Sequence, residues 1–332
     1  MKRTIEHFKA SLLAGAVGDA LGWPVEFRSY NAIIEENGSS GVTKLQLNTQ
    51  GIAEITDDTQ MTLFTLEGIV NHRYLKKFSS LNESVFQSYL RWYKTQSGMI
   101  VSLLTADFDL MSYTQLFHRR APGLTCTTTL AKGIMGTVKT PINDSKGCGG
   151  VMRVAPIGYF YDKDLAYDYG CACAAITHGH PLGYLSAGAF AYMMSLIFDG
   201  VELKDSVLQT ISKLEMSSLA KRQVSLLNQA LILAESDQSD IQCIQTLGEG
   251  WVGEEALAIA VFCSLRYSND LIKALSVSVT HDGDSDSTGS ITGNILGAFL
   301  GMDAIKEEWL KVLEVTEIVI TFCNYVEQHD KS

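Results

Sequence analysis

Gly289, Gly293, Gly297 and Gly301 recur at four-residue steps, and Gly15, Gly18 and Gly22 form a shorter row near the start of the chain. Residues four apart share one face of an α-helix, so each row would be a strip of bare backbone. A glycine inside a helix costs about 1 kcal/mol relative to alanine. A row of four therefore predicts a central helix packed closely against another backbone, not one at the surface.

The remaining patterns agree with helices. Phe8, Leu12, Leu13 and Ala16 share one helical face, and Met61, Phe64, Thr65 and Ile69 repeat the spacing. Residues 42–47 alternate briefly and are expected to form a short extended piece, but no strand–helix–strand series is visible. No repeat at a solenoid period stands out. With 332 residues, 46% of them hydrophobic and 19% charged, the chain can bury a sizeable core without disulfides. It has only 5 prolines and no Pro/Gly/Ser-rich linker, so residues 1–332 are read as one domain.

Lys and Arg number 26 against 37 Asp and Glu, a net charge of −11. Such a field repels polyanions and argues against a nucleic-acid or anionic-membrane surface. It does not exclude a small phosphate ligand, which backbone amides can bind locally. Seven cysteines, mostly in apolar runs and without paired CxxC motifs, read as reduced thiols of a cytoplasmic protein. The start Met1-Lys2-Arg3 is followed by Glu6 and His7, and Asp19 interrupts the apolar stretch, so export is not expected. Pro181–Phe198 carries no charge, yet its Gly183, Tyr184, Ser186, Gly188, Tyr192 and Ser195 favour a buried helix over a membrane span.

Two acidic turns could carry chemistry. Thr56-Asp57-Asp58-Thr59 directly precedes the apolar run from Met61, where Asp and Thr would also serve simply as a helix cap. His281-Asp282-Gly283-Asp284-Ser285-Asp286-Ser287 opens the glycine-row helix. Capping accounts for one of its three aspartates, and the others repel unless a cation compensates them. An EF-hand loop is excluded, because positions 6 and 12 from Asp282 are Ser287 and Gly293 instead of glycine and glutamate. Both turns offer only oxygen ligands, which suits Mg²⁺, Mn²⁺ or Ca²⁺ over zinc. If the two helix starts converge, their carboxylates could hold two cations. Lys146-Gly147-Cys148-Gly149-Gly150-Val151-Met152-Arg153 is a glycine-rich turn that fits neither a dinucleotide fingerprint nor a P-loop, and Thr177-His178-Gly179-His180-Pro181 leads into the uncharged helix. Taken alone, each reads as an ordinary turn with structural histidines.

Taken in order, these segments resemble the ADP-ribosylglycohydrolase family. The resemblance is carried by Gly15-Ala16-Val17-Gly18-Asp19-Ala20-Leu21-Gly22 with Glu26, Thr56 to Thr59, Gly147 to Arg153, Thr177 to Pro181, Gly283 to Gly289 and Gly250 to Leu257, nearly the whole chain. It implies a compact, single-domain all-α bundle. It implies two Mg²⁺ ions, with Mn²⁺ an acceptable substitute, held by Thr56, Asp57, Asp58, Asp284, Asp286 and Ser287. It further implies that Gly147, Cys148, Gly149 and Gly150, with Arg153, cradle the ADP-ribose diphosphate, that His178 lies near the ribose, and that Glu26 sits on a mobile flap. Asp282 departs from the small residue that many relatives carry there and is expected to face solvent or support a ligand.

The implied reaction is hydrolysis of the glycosidic bond between ADP-ribose and an acceptor on a protein or small molecule, most simply arginine. Glu26, Asp57 and Asp58 are the candidate catalytic carboxylates, and which of them is the general base is open. A non-catalytic ADP-ribose-binding relative, a hydrolase of serine-linked or O-acetyl adducts, and a phosphohydrolase cutting the diphosphate are the competing readings. Residues touching the leaving group are expected within 92–95 or 117–125.

Overall fold

The glycine rows face each other. A Cβ on Gly18 would meet the Gly289 carbonyl oxygen at 2.1 Å, one on Gly293 the Ala14 oxygen at 2.1 Å, and one on Gly297 the Ala10 oxygen at 2.3 Å. The register steps by four on both sides and in opposite directions. The first helix, α1 (Ile5–Gly22), and the glycine-row helix, Ser285–Leu300, are therefore antiparallel and touch backbone to backbone. Gly301 is not part of this strip: at φ +82° it is the left-handed cap just past the helix, where glycine is favoured.

The structure is a computed structural model that describes residues 3–97 and 109–330; Met1 and Lys2 of the basic start lie outside the described residues. After α1, the described helices in chain order are α2 (Tyr30–Asn37), α3 (Asp57–Arg73), α4 (Leu81–Gln96), α5 (Leu124–Leu130), α6 (Ala155–Phe160), α7 (Lys163–Ala175) and α8 (Pro181–Phe198). They continue with α9 (Leu203–Leu214), α10 (Lys221–Ala234), α11 (Asp240–Leu247), α12 (Gly253–Arg266), α13 (Leu271–Val279), α14 (Ser285–Leu300), α15 (Glu307–Val312) and α16 (Thr316–Asp330). One continuous hydrophobic cluster joins residues from α1 through α16, and the architecture is the all-α bundle expected.

No strand occurs among the described residues, only isolated bridges of Ala53 with Leu313 and Gly147 with Val252. Residues 42–47, expected as a short extended piece, form no strand and are irregular. Alternation is not enough without a partner strand: the Val42 amide donates instead to Thr280 Oγ1 at 3.1 Å. Helix α8 is apolar and long enough to cross a membrane by length and composition, and 89% of it is buried inside the protein. Its start is set by Pro181, whose missing N–H costs nothing in the first turn, and by His180 Nδ1, which accepts the Leu182 amide at 3.0 Å.

Candidate metal and active site

The backbone contact between α1 and α14 brings the C-terminal end of α1 beside the N-terminus of α14, where the Asp284–Ser287 turn lies. Asp19, fully buried near the end of α1, then fastens α3 to the same place. Its carboxylate accepts the Thr56 amide at 3.0 Å, Thr56 Oγ1 at 2.9 Å, the Thr59 amide at 3.0 Å and Thr59 Oγ1 at 2.6 Å. The segment before α3 is pinned from the other side. Arg120, itself buried, donates to Glu314 at 2.5 Å and to the Ile55 carbonyl at 3.1 Å, and the Ala53 amide donates to Val312. Two helix starts far apart in sequence thus meet, each with its positive dipole end toward the carboxylates.

Capping and clustering coexist. Thr56 Oγ1 accepts the Asp58 amide at 3.3 Å, and Asp284 Oδ1 accepts the Ser287 amide at 3.3 Å, so one residue of each turn is a cap. The surplus carboxylates face one another. Ligand oxygens of Glu26, Asp284 and Asp286 lie within 4.8 Å of one another, a group able to hold a metal ion. Glu26 thus joins the candidate ligands, which the sequence reading had not included. Asp57 and Asp58 stand beside this triplet without belonging to it. Asp57 Oδ2 accepts the Gly123 amide at 3.1 Å, while Asp58 Oδ1 is buried with no hydrogen-bond partner.

The electrostatics are those of a site that favours positive charge. Burial, then the charges of Asp284, Asp57 and Asp19, push Glu26 up to about 8. Burial likewise pushes Asp57 up to about 8, against the Gly123 amide and with help from Asp19 and Asp284. Asp58 and Asp286 are driven well above the carboxylate range by burial first and by their acidic neighbours second. Asp284 is raised by burial, against hydrogen bonds shared with Asp286, Cys148 and Ser287. The charges acting most strongly on Glu26, Asp57, Asp58 and Asp286 are all carboxylates. Buried like charges with only oxygen donors and an orphaned oxygen fit a hard divalent cation.

The glycine turn reaches the same cluster through a side chain. Cys148 Sγ donates to Asp284 Oδ2 at 2.7 Å, and the Cys148 amide is spent on the Trp251 carbonyl at 3.2 Å. The loop is held against the start of α12 by the Gly253 amide, which donates to the Lys146 carbonyl at 2.9 Å, and by a Lys146–Glu254 ion pair. His178 is buried beneath it, with Nδ1 on Thr177 Oγ1 at 2.9 Å and a pKa lowered to about 3 by burial, hence neutral. A Cβ on Gly149 would crowd Cys126 Sγ at 3.1 Å and the His178 ring at 3.2 Å.

Arg153 is 0% exposed. Its guanidinium donates to Thr177 Oγ1 at 2.7 Å and the Cys173 carbonyl at 3.0 Å and lies 4.3 Å from the Tyr89 ring centre. A cation beside a glycine turn suggests an anion ligand in sequence, but here it braces the turn from inside the core. Ser287 is buried at the cluster, its amide shared by Asp284 and Asp286. Asp282 is exposed and outside the triplet, its Oδ1 accepting the Tyr30 amide at 2.8 Å. His281 shapes the turn: Nδ1 accepts the Gly283 amide at 3.1 Å, which leaves the proton on Nε2, near Ser278 and Thr288.

Of the two segments expected near the leaving group, residues 117–125 reach the cluster through Gly123. Residues 92–95 do not: Trp92 is buried and donates to Gln60 Oε1 at 2.9 Å, steadying α3 from behind. The residue the sequence reading missed is Asp19. Its signal was present, the one charged residue between Ala10 and Gly22.

Comparison with known proteins agrees with this geometry. A model of the ADP-ribosylglycohydrolase family matches residues 1–330. ADP-ribosylhydrolase ARH3 of Homo sapiens is 28% identical over 203 residues, 51% of this chain and 54% of that protein, so the alignment spans about half of each. ADP-ribosyl-[dinitrogen reductase] glycohydrolase of Rhodospirillum rubrum is 24% identical over 317 residues, covering 92% of this chain and 89% of that one. A solved structure described as an ADP-ribosylglycohydrolase-related protein complex shares the fold, with a TM-score of 0.70 at 19% identity over 98% of this chain and 99% of that one.

Proposed function

The chain belongs to the ADP-ribosylglycohydrolase family, and from that premise we propose that it releases ADP-ribose from modified arginine by magnesium-dependent hydrolysis. Hydrolysis of ADP-ribosyl bonds is the family's chemistry. The observation that carries the finer reading is the convergence of half-buried Glu26 with the buried Asp57, Asp58, Asp284 and Asp286 in one group. Thr56, Asp57, Asp58, Asp284, Asp286 and Ser287, now with Glu26, are the residues proposed to hold two Mg²⁺ ions. Bound there, the cations supply charge neutralisation, anchorage for ribose hydroxyls and a lower pKa for water.

The protein's own groups do the rest. Asp57 or Asp58 accepts the proton of the attacking water, and Asp58 Oδ1, an acceptor without a donor, is suitably free. Glu26, at the partly exposed edge of the cluster, exchanges a proton with the leaving group. The amides of Gly149 and Gly150 open a single 3₁₀ turn and are proposed to hold the diphosphate, with neutral His178 and buried Arg153 supporting the turn from below. Arginine as acceptor is supported by a cavity of about 660 Å³ beside Gly283, lined by Glu249, Glu255 and Asp282, which suits a guanidinium. A cytoplasmic location is proposed on the seven free thiols, and residues 1–332 are proposed as one domain on the continuity of the core.

The test is release of free ADP-ribose from an ADP-ribosyl-arginine protein with Mg²⁺, with EDTA and with Asp284→Ala plus Asp286→Ala. Release that needs Mg²⁺ and is lost in the variant is expected. Release from a serine-linked substrate alone would move the acceptor, and AMP in place of ADP-ribose would replace the reaction.

A further inference from the structure

Phe27, the residue after Glu26, combines two unfavourable features. Its φ is +64°, a conformation that bulky residues avoid, and its side chain is 75% exposed. What compensates is Trp251: the two rings are stacked, centres 5.0 Å apart and planes 19° from parallel. The two partners belong to different parts of the site. Trp251 is built into the fixed wall, its carbonyl accepting the Cys148 amide at 3.2 Å and its Nε1 donating to Glu249 Oε2 at 3.1 Å, while the Glu249 carbonyl accepts the Asp284 amide at 2.8 Å.

Phe27 belongs to the short bridge between α1 and α2. That bridge is pinned at its far end, where Asp282 accepts the Tyr30 amide. Between the pins its backbone bonds are local, Glu26 to Gly22 and Arg28 to Val25, and Arg28 pairs with Glu36 of the adjoining α2. Val25, before Glu26, is buried in the core, and the Phe27–Trp251 stack ties the residue after Glu26 to the wall carrying Asp284.

We propose that Phe27 is a positioning residue whose stack on Trp251 holds the Glu26 carboxylate beside Asp284 and Asp286. The proposal rests on the cation-binding reading above.

The experiment is calorimetric titration with Mn²⁺ alone, without substrate, of the wild type, Phe27→Ala, Phe27→Tyr, Glu26→Gln and the Glu26→Gln/Phe27→Ala double variant. Thermal unfolding of each serves as a check of folding. Phe27→Ala is expected to weaken Mn²⁺ binding about 2- to 12-fold, the equivalent of one aromatic stack. Phe27→Tyr, which keeps the stack, should restore wild-type affinity, and the double variant should bind no more weakly than Glu26→Gln alone, because Phe27 acts through Glu26. Unchanged affinity in Phe27→Ala or in Glu26→Gln, or losses that simply add in the double variant, would overturn the proposal. A raised KM for an ADP-ribosylated substrate with unchanged Mn²⁺ affinity would instead make the ring a ligand contact and would also overturn it. Failure of the cation reading is seen separately, as a wild type that binds no Mn²⁺ or an Asp284→Ala/Asp286→Ala variant that binds it equally well; the proposal falls with it.

Discussion

Replacing Asp19 by Asn and by Ala separates two things its carboxylate does. Neither variant can ionise, so the stability difference between them reports only on the donors the side chain receives. Asn keeps one oxygen, and turned to the position nearest Thr59 it can still accept both backbone amides, now 3.1 Å from Thr56 and 3.0 Å from Thr59. Ala leaves both amides buried without an acceptor, at about 1–3 kcal/mol each. The hydroxyls of Thr56 and Thr59 can rotate and are not counted. Asp19→Asn should therefore be more stable than Asp19→Ala by about 2–6 kcal/mol in urea unfolding with EDTA present. The difference between wild type and Asn reports on charge. Burial raises Asp19 to about 6 from 3.8, despite four hydrogen bonds, so ionising it in the folded chain costs up to about 3 kcal/mol at pH 7. A raised carboxyl contributes stability below its unfolded pKa and loses it as pH climbs through the folded value. Asn should accordingly gain on the wild type as pH rises from 4 to 7. The reasoning is refuted by an Ala variant within 1 kcal/mol of Asn, or by a wild-type-to-Asn gap that stays flat over that range.

The same sign governs the whole cluster. With EDTA present, Tm should fall as pH rises from about 4 through 8, because Asp57 and Glu26, both raised to about 8, must ionise beside other carboxylates. Added Mg²⁺ should restore more stability at pH 8 than at pH 5; a Tm in EDTA that climbs over this range contradicts the arrangement. Gly18→Ala should destabilise although alanine is the better helix former by about 1 kcal/mol. Its Cβ would lie 2.1 Å from the Gly289 carbonyl oxygen, and such overpacking costs about 1–3 kcal/mol or more. Gly123→Ala is the control, with φ −53° and nothing nearer its Cβ than 3.9 Å, and equal losses in chemical denaturation would refute the steric account.

The parts of this fold that were legible in sequence are those where a missing or surplus group has no local use. Glycines at four-residue steps have no local reason to exist in a helix, so they disclose a neighbouring backbone, although Gly301 belongs to a left-handed cap instead. Aspartates in excess of what a cap can use disclose a place where carboxylates gather. Illegible were the groups whose local role looked complete. Asp19 read as an interruption in an apolar run, because its four donors come from a segment some forty residues on. Arg153 read as an anion ligand, because its burial against the Cys173 carbonyl, the Thr177 hydroxyl and the Tyr89 ring is set by tertiary packing. Residues 42–47 alternated correctly but had no strand to pair with.

The glycine strip and the acidic cluster are two sides of one requirement. Carboxylates on three separate elements can share a cation only if the elements carrying them are held to within a fraction of an ångström. Side chains between α1 and α14 would leave that spacing to rotamers, whereas backbone contact at Gly18 and Gly289 removes the freedom at its source. Asp19 then transmits the position of α1 to α3 through amides, which have no rotamers either. The cost of gathering buried like charges is thereby borne by rigid elements that cannot relax apart, and the cation proposed to bind there would recover it as binding free energy.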